Sequence, residues 1–437
     1  MRIYTVEEAE KTILKRKPLN MVNYSPLILE RTEHVFGKGI LPQQAVELII
    51  RSVEQDGDQA IRHWSKVLDN FDSGEIAIPN KRMEQAWQQL PFNLQQAMKS
   101  AANRIQTFHE KQPVNSWISE DMGGKLGQRI IPLERVGVYV PGGTAPLPSS
   151  LLMSVIPAKV AGVKEIYVTT PPNPHPSILA AAYLCKVDAI YQIGGAQAIA
   201  ALAYGTESVH QVDKIVGAGN LFVTLAKQQL FGVVGIDGLA GPTETMVIAD
   251  HRANPKWVAA DLLAQAEHDV QASAILLTPD AILANSVQAE ISIQINNLSR
   301  WEIIRASLEN SGGIVVTESL EQAAELANHY AAEHLCLSVD EPLLLMEKIS
   351  NAGGFFLGDH SFEVLGDYVA GPSHIMPTGG TARFASPLNV LDFVKISSVI
   401  GLDTQTAITL SGIAAELADL EQLTAHASAA RGRGSVG

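Results

Sequence analysis

Residues 135–170 read RVGVYVPGGTAPLPSSLLMSVIPAKVAGVKEIYVTT, and this stretch decides the fold class. Val136–Val140 is a short β-rich run, stopped by Pro141-Gly142-Gly143. An apolar helical pattern follows from Ser149 to Ala161. A second β-rich run, Glu165–Thr170, is then stopped by Pro171-Pro172. Strand, helix and strand in that order predict a parallel pair with a helix crossing its face. The alternation continues: Ser177–Cys185 reads as helix and Ala189–Ile193 as strand. Gly194-Gly195 leads into an Ala-rich helix over Gln197–Ala203, followed by a strand at Lys214–Val216 and a helix at Asn220–Leu230.

Beyond Gly241-Pro242 a second series begins. Thr245–Ala249 reads as strand. Asn254 can cap a helix with Pro255 at its first position, running to about His268. Ala274–Thr278 is a strand, and a long helix follows near Leu283–Leu298. Ile314–Val316, Leu320–His329, Leu335–Ser338 and Leu343–Ser350 continue the pattern, and Phe355–Leu357 is a last short strand. Residues 1–110 read mostly as helix, with helical spacing over Gln43–Asp58 and Lys81–His109 and Pro91 as a helix start. From about Asp392 the chain again looks helical. The fold class expected is α/β, with two incomplete Rossmann-like parallel-sheet domains and smaller helical N- and C-terminal segments. The division expected is a helical segment at 1–30, a discontinuous Rossmann-like domain from 31–134 and 239–388, a second one at 135–238 inserted into it, and a helical tail at 389–437. Gly- and Pro-rich junctions near Leu133 and Gly238 set the insertion points. The tail has its own apolar stripe, suited to packing on a partner subunit.

The chain has 437 residues, 46% hydrophobic and 18% charged, which excludes a largely disordered protein. A formal net charge of −14 and the lack of any Lys/Arg-rich run argue against a nucleic-acid surface. The N-terminus MRIYTVEEAEKTILKRK has no apolar core of a secretory signal, and no uncharged apolar stretch of about 18 residues marks a membrane span. The cytoplasm is the expected compartment. Two cysteines, Cys185 and Cys336, are too few for a disulfide framework or a thiolate zinc site, and both have apolar flanks that suit core packing.

Four stretches carry chemistry-bearing side chains. Gln265 and His268 are three apart near a helix end, so they share a face and could both hold a metal. Two such residues do not make a site, and spacing alone favours a solvated helix cap. Glu333-His334 lies at a helix-to-strand junction, where α/β sites sit. A histidine can take a proton from an alcohol and a carboxylate can activate water, against the alternative of an ordinary polar turn. The Gly/Pro-rich stretch 366–374, GDYVAGPSH, carries Asp367 and His374 after a strand. Glu421 and His426 lie in the tail, where a lone histidine is usually a surface residue. Several familiar signatures are absent. Gly217-Ala-Gly219-Asn220 lacks the third glycine of a dinucleotide fingerprint, and no Walker sequence, His-Glu-x-x-His or Gly-x-Ser-x-Gly occurs.

Taken together, eight blocks make the chain resemble histidinol dehydrogenases along nearly its whole length. They are 136–153 (VGVYVPGGTAPLPSSLLM), 194–209 (GGAQAIAALAYGTESV), 213–220 (DKIVGAGN), 240–244 (AGPTE), 261–269 (DLLAQAEHD), 332–335 (AEHL), 366–378 (GDYVAGPSHIMPT) and 423–426 (LTAH). The resemblance implies one zinc per subunit, held by Gln265, His268, Asp367 and His426. This N/O donor set would also accept manganese or cobalt. It implies catalytic roles for Glu333 and His334, and NAD+ contacts at Tyr139, Gln197 and Asn220. Substrate contacts fall on Thr243, Gln265, His268, His334, Asp367, His374, Glu421 and His426. It further implies a homodimer in which Glu421 and His426 come from the neighbouring subunit. Two positions depart from the common pattern: Thr243 stands where serine is frequent, keeping the hydroxyl, and Ala218 where proline is frequent.

The implied reaction is the NAD-dependent four-electron oxidation of L-histidinol to L-histidine through the aldehyde, the closing steps of histidine synthesis. His334 acts as base in both oxidations and Glu333 activates water for the second. A thiohemiacetal through Cys336 is disfavoured, because strand alternation and its apolar flanks favour burial. The rivals are a related zinc dehydrogenase of another polar alcohol, such as a sulfonated diol, then a metallohydrolase, then a non-catalytic binding protein on the same scaffold. Retention of His374, Glu421 and His426 favours histidinol over the first.

Overall fold

Runs of β-branched and aliphatic residues become the strands of two parallel sheets. The structure, a computed structural model, describes residues 1–16, 24–72, 75–142 and 146–434. Gly143 of the expected turn, Lys17 of the N-terminal stretch and residues 435–437 of the tail lie outside the described residues. Two compact units form: residues 1–111 with 134–393, and residues 112–133 with 394–437.

The first unit contains both parallel sheets. The inner one has five strands in the order Ala189–Gln192, Glu165–Thr170, Arg135–Tyr139, Lys214–Val216, Gly235–Ile236. The chain starts in the middle strand, winds to one edge and then to the other. Strand order therefore reverses between Arg135–Tyr139 and Lys214–Val216, a topological switch point. Val136, Val138, Ile166, Val168, Ile190 and Ile215 are essentially inaccessible, as a sheet covered on both faces requires. Each such side chain contributes roughly 1.5–3 kcal/mol by leaving water. Helices Pro42–Asp56 and Asp58–Asp69, which the sequence grouped with the other sheet, share this core through Val46, Ile49, Ile50, Val53 and Ile61.

The outer sheet has six parallel strands in the order Ile3–Thr5, Gly313–Val316, Ser273–Thr278, Glu244–Ala249, His334–Ser338, Gly354–Leu357. Its first strand corrects the helical reading of the N-terminus: Ile3 pairs with Ile314, so the chain begins in the sheet that it finishes about 350 residues later. Asn254 caps helix Pro255–Ala266 as expected, its side chain accepting from the Lys256 N–H. Two further differences are local. A helix at Trp301–Asn310 was not anticipated, and Leu343–Ser350 shortens to a helix over Pro342–Met346. Among the described residues no helix is long and apolar enough to cross a membrane.

The second unit corrects the wholly helical reading of the C-terminal segment. Val394–Leu402 is a strand, antiparallel to Gly124–Pro132, which in turn pairs with Trp117–Ser119. Helices Thr404–Leu420 and Thr424–Gly434 follow. Leu410, Ile413, Leu417 and Leu420 stay exposed along one face of the longer helix.

Candidate active site

Strands Glu244–Ala249 and His334–Ser338 are neighbours in the outer sheet, in register so that His334 lies beside Thr245. Thr243 and Glu333 are the residues just before these strands, so both stand at the amino edge of the sheet. The usual ligand position in a parallel sheet is the carboxyl edge. Glu333 and His334 do lie at the helix-to-strand junction that the sequence predicts, but at the edge opposite to the one that general rule favours. Glu333 is fixed by two donors: Thr243 Oγ1 at 2.6 Å and the Glu244 N–H at 2.9 Å, both to Oε2. Gln265, only 1% exposed at the end of its helix, touches the same hydroxyl with its amide and reaches Glu363 with the amide's other end. The Glu244 side chain is bound elsewhere, by the Arg16 guanidinium, whose Nη2 donates to Oε2 at 2.8 Å.

His334 is the centre of the cluster. Its Nδ1 donates to the Glu244 carbonyl at 3.1 Å and lies 3.6 Å from Glu333 Oε2. That leaves Nε2 as the free ring nitrogen. Nε2 is buried, has no aligned hydrogen-bond partner, and lies 3.5 Å from Asp367 Oδ1. Burial opposes protonation of this imidazole. The charges of Glu363 and then Glu333, with the Asp367 carboxylate close by, outweigh it and raise the pKa well above the ordinary value.

Asp367 sits in the six-residue helix Glu363–Tyr368, not in the loop that its Gly/Pro-rich surroundings suggested. Gly366 makes this helix possible so close to the sheet, since a Cβ there would stand 2.5 Å from the Phe356 ring. Burial raises the Asp367 carboxyl, but His334, and then the charges of His374 and His268, hold it below the usual carboxylate range. His374 completes the group: its Nδ1 is 2.7 Å from the Asp367 carbonyl and its Nε2 3.1 Å from Ser150 Oγ. Glu363, one helical turn before Asp367, is fully buried with Oε2 unpartnered. Burial, with the charges of Asp367 and Asp261, pushes it up to about 8 against the opposing effect of His334. Sequence reading missed Glu363, Ser150 and Asp261. The four-residue spacing of Glu363 and Asp367 was the only signal, and it means something only on a helix.

Thr243, Gln265, Glu333, His334, Asp367 and His374 thus form one cluster, and exposed His268 is near enough for its charge to act on Asp367. Glu421 and His426 belong to the second unit, where both are exposed. Among the described residues no group of three or more His, Cys, Asp or Glu side chains is gathered to hold a metal. Gln265, His268 and Asp367 carry an amide, an imidazole and a carboxylate, which are donors of the N/O type. His334 Nε2, buried and without a partner beside Asp367, is the kind of orphaned polar atom that a bound group satisfies.

A second cluster stands at the carboxyl edge of the inner sheet. Tyr139 ends the central strand, and its hydroxyl accepts the Gly195 N–H at 3.2 Å. Gln197 is fully buried near the start of helix Gly195–Tyr204, and its Oε1 has no partner. Asn220 caps helix Leu221–Leu230 through Oδ1, which leaves its amide nitrogen free of that role. Gly217, at φ 106°, brings the intervening loop against the central strand; a Cβ there would stand 2.2 Å from the Tyr139 carbonyl oxygen. Tyr139 and Asn220 flank the switch point. Cys185 and Cys336 are both free and buried. Cys336 is two residues from His334 and so shares its face of the strand, contrary to the alternation argument. It is removed from chemistry by burial, which first among several causes raises its thiol pKa far above the ordinary value.

A buried cluster of titratable groups on one parallel sheet and polar side chains at the switch point of another are the marks of an α/β enzyme. The histidinol dehydrogenase family model matches residues 40–434. The histidinol dehydrogenase of Thermus thermophilus is 50% identical over 88% of this chain and 93% of its own length, and that of Deinococcus radiodurans is 46% identical over 98% and 99%. The crystal structure of histidinol dehydrogenase from Elizabethkingia anophelis superposes with a TM-score of 0.91 at 34% identity, covering 99% of this chain and 98% of that one. The chain belongs to the histidinol dehydrogenase family and is an oxidoreductase of the α/β class.

Proposed function

We propose that the protein oxidises L-histidinol to L-histidine through L-histidinaldehyde, with Glu333 and His334 as its proton-transfer groups. The observation that carries this reading is His334: one ring nitrogen is tied to a backbone carbonyl, and the other is buried, unpartnered and beside Asp367. Such an imidazole can take the hydroxyl proton of a substrate seated next to it. Bound NAD+ would accept the hydride in each oxidation, with Tyr139, Gln197 and Asn220 as its contacts. A zinc ion held by Gln265, His268 and Asp367, with His426 of a second subunit, would anchor the amine and imidazole of the substrate, its charge opposing protonation of His334.

In the first oxidation His334 Nε2 takes the alcohol proton. In the second, Glu333 takes a proton from water as its hydroxyl adds to the aldehyde carbon, His334 returns its proton to the carbonyl oxygen to complete the diol, and the neutral imidazole then takes a diol hydroxyl proton as the second hydride leaves. Thr243 and the Glu244 N–H keep the Glu333 carboxylate aimed for that step. Burial of the cluster shields the aldehyde from side reactions. His374, turned by Ser150 and the Asp367 carbonyl, lines the substrate position with Thr243 and with Glu421 of the second subunit.

The deciding experiment follows NADH formation from NAD+ and L-histidinol by the full-length protein, before and after exhaustive chelation and again after zinc is restored. The expected result is two NADH and one L-histidine per histidinol, loss on chelation and recovery with zinc. Hydrolysis of an ester or amide without NADH formation would favour the metallohydrolase. Undiminished oxidation after complete metal removal would end the metal assignment.

A further inference from the structure

Asp69 ends helix Asp58–Asp69 beside the inner-sheet cluster, and nothing above gives it a role. Its exposed carboxylate lies 3.4 Å from Gln197 Nε2, and its charge reaches the Tyr139 phenol. Among the described residues no cationic side chain pairs with it. With Gln197 Nε2 turned to Asp69, the buried Gln197 Oε1 is left without a donor. The site therefore offers two acceptor groups side by side, a carboxylate and an amide oxygen, which suits a ligand that brings hydroxyl donors.

The position is informative. In a doubly wound sheet, the acid that receives the ribose hydroxyls of a dinucleotide stands at the carboxyl end of the second strand. Here that strand, Glu165–Thr170, runs into Pro171-Pro172 and supplies no acid. Gln197 follows the third strand, on the same side of the switch point, and Asp69 reaches it from a helix outside the sheet. We propose that Asp69 selects the cofactor: its carboxylate receives the adenosine ribose hydroxyls of NAD+ and repels the 2′-phosphate of NADP+. The inference rests on the NAD+ reading above.

The test compares full-length wild type with Asp69→Asn and Asp69→Ser, measuring kcat/KM for NAD+ and for NADP+ at saturating L-histidinol. Removing the charge should lower the preference for NAD+ by at least about tenfold, through the KM values of the two cofactors. A second measurement needs no turnover: by titration calorimetry ADP-ribose should bind wild type at least about tenfold more tightly than its 2′-phosphate, and Asp69→Asn should narrow that gap. Reduction of NAD+ with an unchanged preference ratio, or equal binding of the two analogues to wild type, overturns the assignment of Asp69 alone. Wild type that reduces neither dinucleotide overturns the NAD+ reading and this inference together.

Discussion

Glu333 and His334 are adjacent in sequence yet held by different means, and this separates their chemistry. The Glu333 carboxylate is gripped by a threonine hydroxyl and a backbone N–H, contacts that an amide oxygen can also accept. Glu333→Gln should therefore fold normally and keep the first oxidation, while the water-dependent second oxidation falls by roughly 10²–10⁴-fold. The measurement is histidine formed against aldehyde trapped in a single turnover. Histidine production at the wild-type rate would remove Glu333 from the mechanism. Thr243, where serine is frequent, keeps the hydroxyl that donates to Glu333, so the extra methyl leaves this contact intact.

At the scale of elements, helix Pro255–Ala266 presents Asp261 to the same buried acidic region. Its carboxyl is pushed up to about 7, first by burial and then by Asp359. An acid whose folded pKa lies above its unfolded value contributes stability that is complete below about 3.8 and is lost as pH rises toward 7. Asp261→Asn should thus match wild type near pH 4 and become the more stable of the two, by roughly 1–3 kcal/mol, above pH 8. Urea unfolding at both pH values checks this; a constant difference across pH would show that Asp261 does not titrate with folding. The elements differ in how far the sequence reveals them. Apart from the two-residue edge strand Gly235–Ile236, which the reading did not contain, the inner strands and the helices between them fall within a residue or two of it, because a two-sided core demands unbroken runs such as Glu165–Thr170. Ile3–Thr5 is too short for any period to show. Gly124–Pro132 and Val394–Leu402 have mostly exposed or half-exposed positions, so their alternation is weak. Helix Glu363–Tyr368 depends on a glycine that fits against Phe356, a contact with no trace in local sequence. The site shows the same split. The Gly/Pro-rich stretch 366–374 drew attention to Asp367 and His374, while Glu363 emerges only when its helix packs against the site.

For the whole molecule, Glu421 and His426, proposed to serve a neighbouring subunit, belong to the second unit of the chain. The exposed stripe Leu410, Ile413, Leu417 and Leu420 in that unit is the kind of surface a second subunit would cover. If sites are shared between subunits, Glu333→Gln and His426→Ala should each form almost no histidine as pure dimers, histidine formation being the activity followed. Mixed and re-associated, they should recover roughly a quarter of wild-type activity, because half of the dimers would be hybrid and each hybrid would hold one intact site. Steady-state rates after subunit exchange test this, and a mixture that stays inactive would return His426 to its own chain's site.

The pairing of Ile3 with Ile314 also bears on synthesis. A ribosome releases the opening strand long before its only neighbour exists, and the whole inner sheet emerges in between. The growing chain can bury that inner layer while its first residues remain without a ladder. Completion of the outer layer then waits for the strands near residues 334–357, so Glu333 and His334 take their places late in translation, on a scaffold already half assembled.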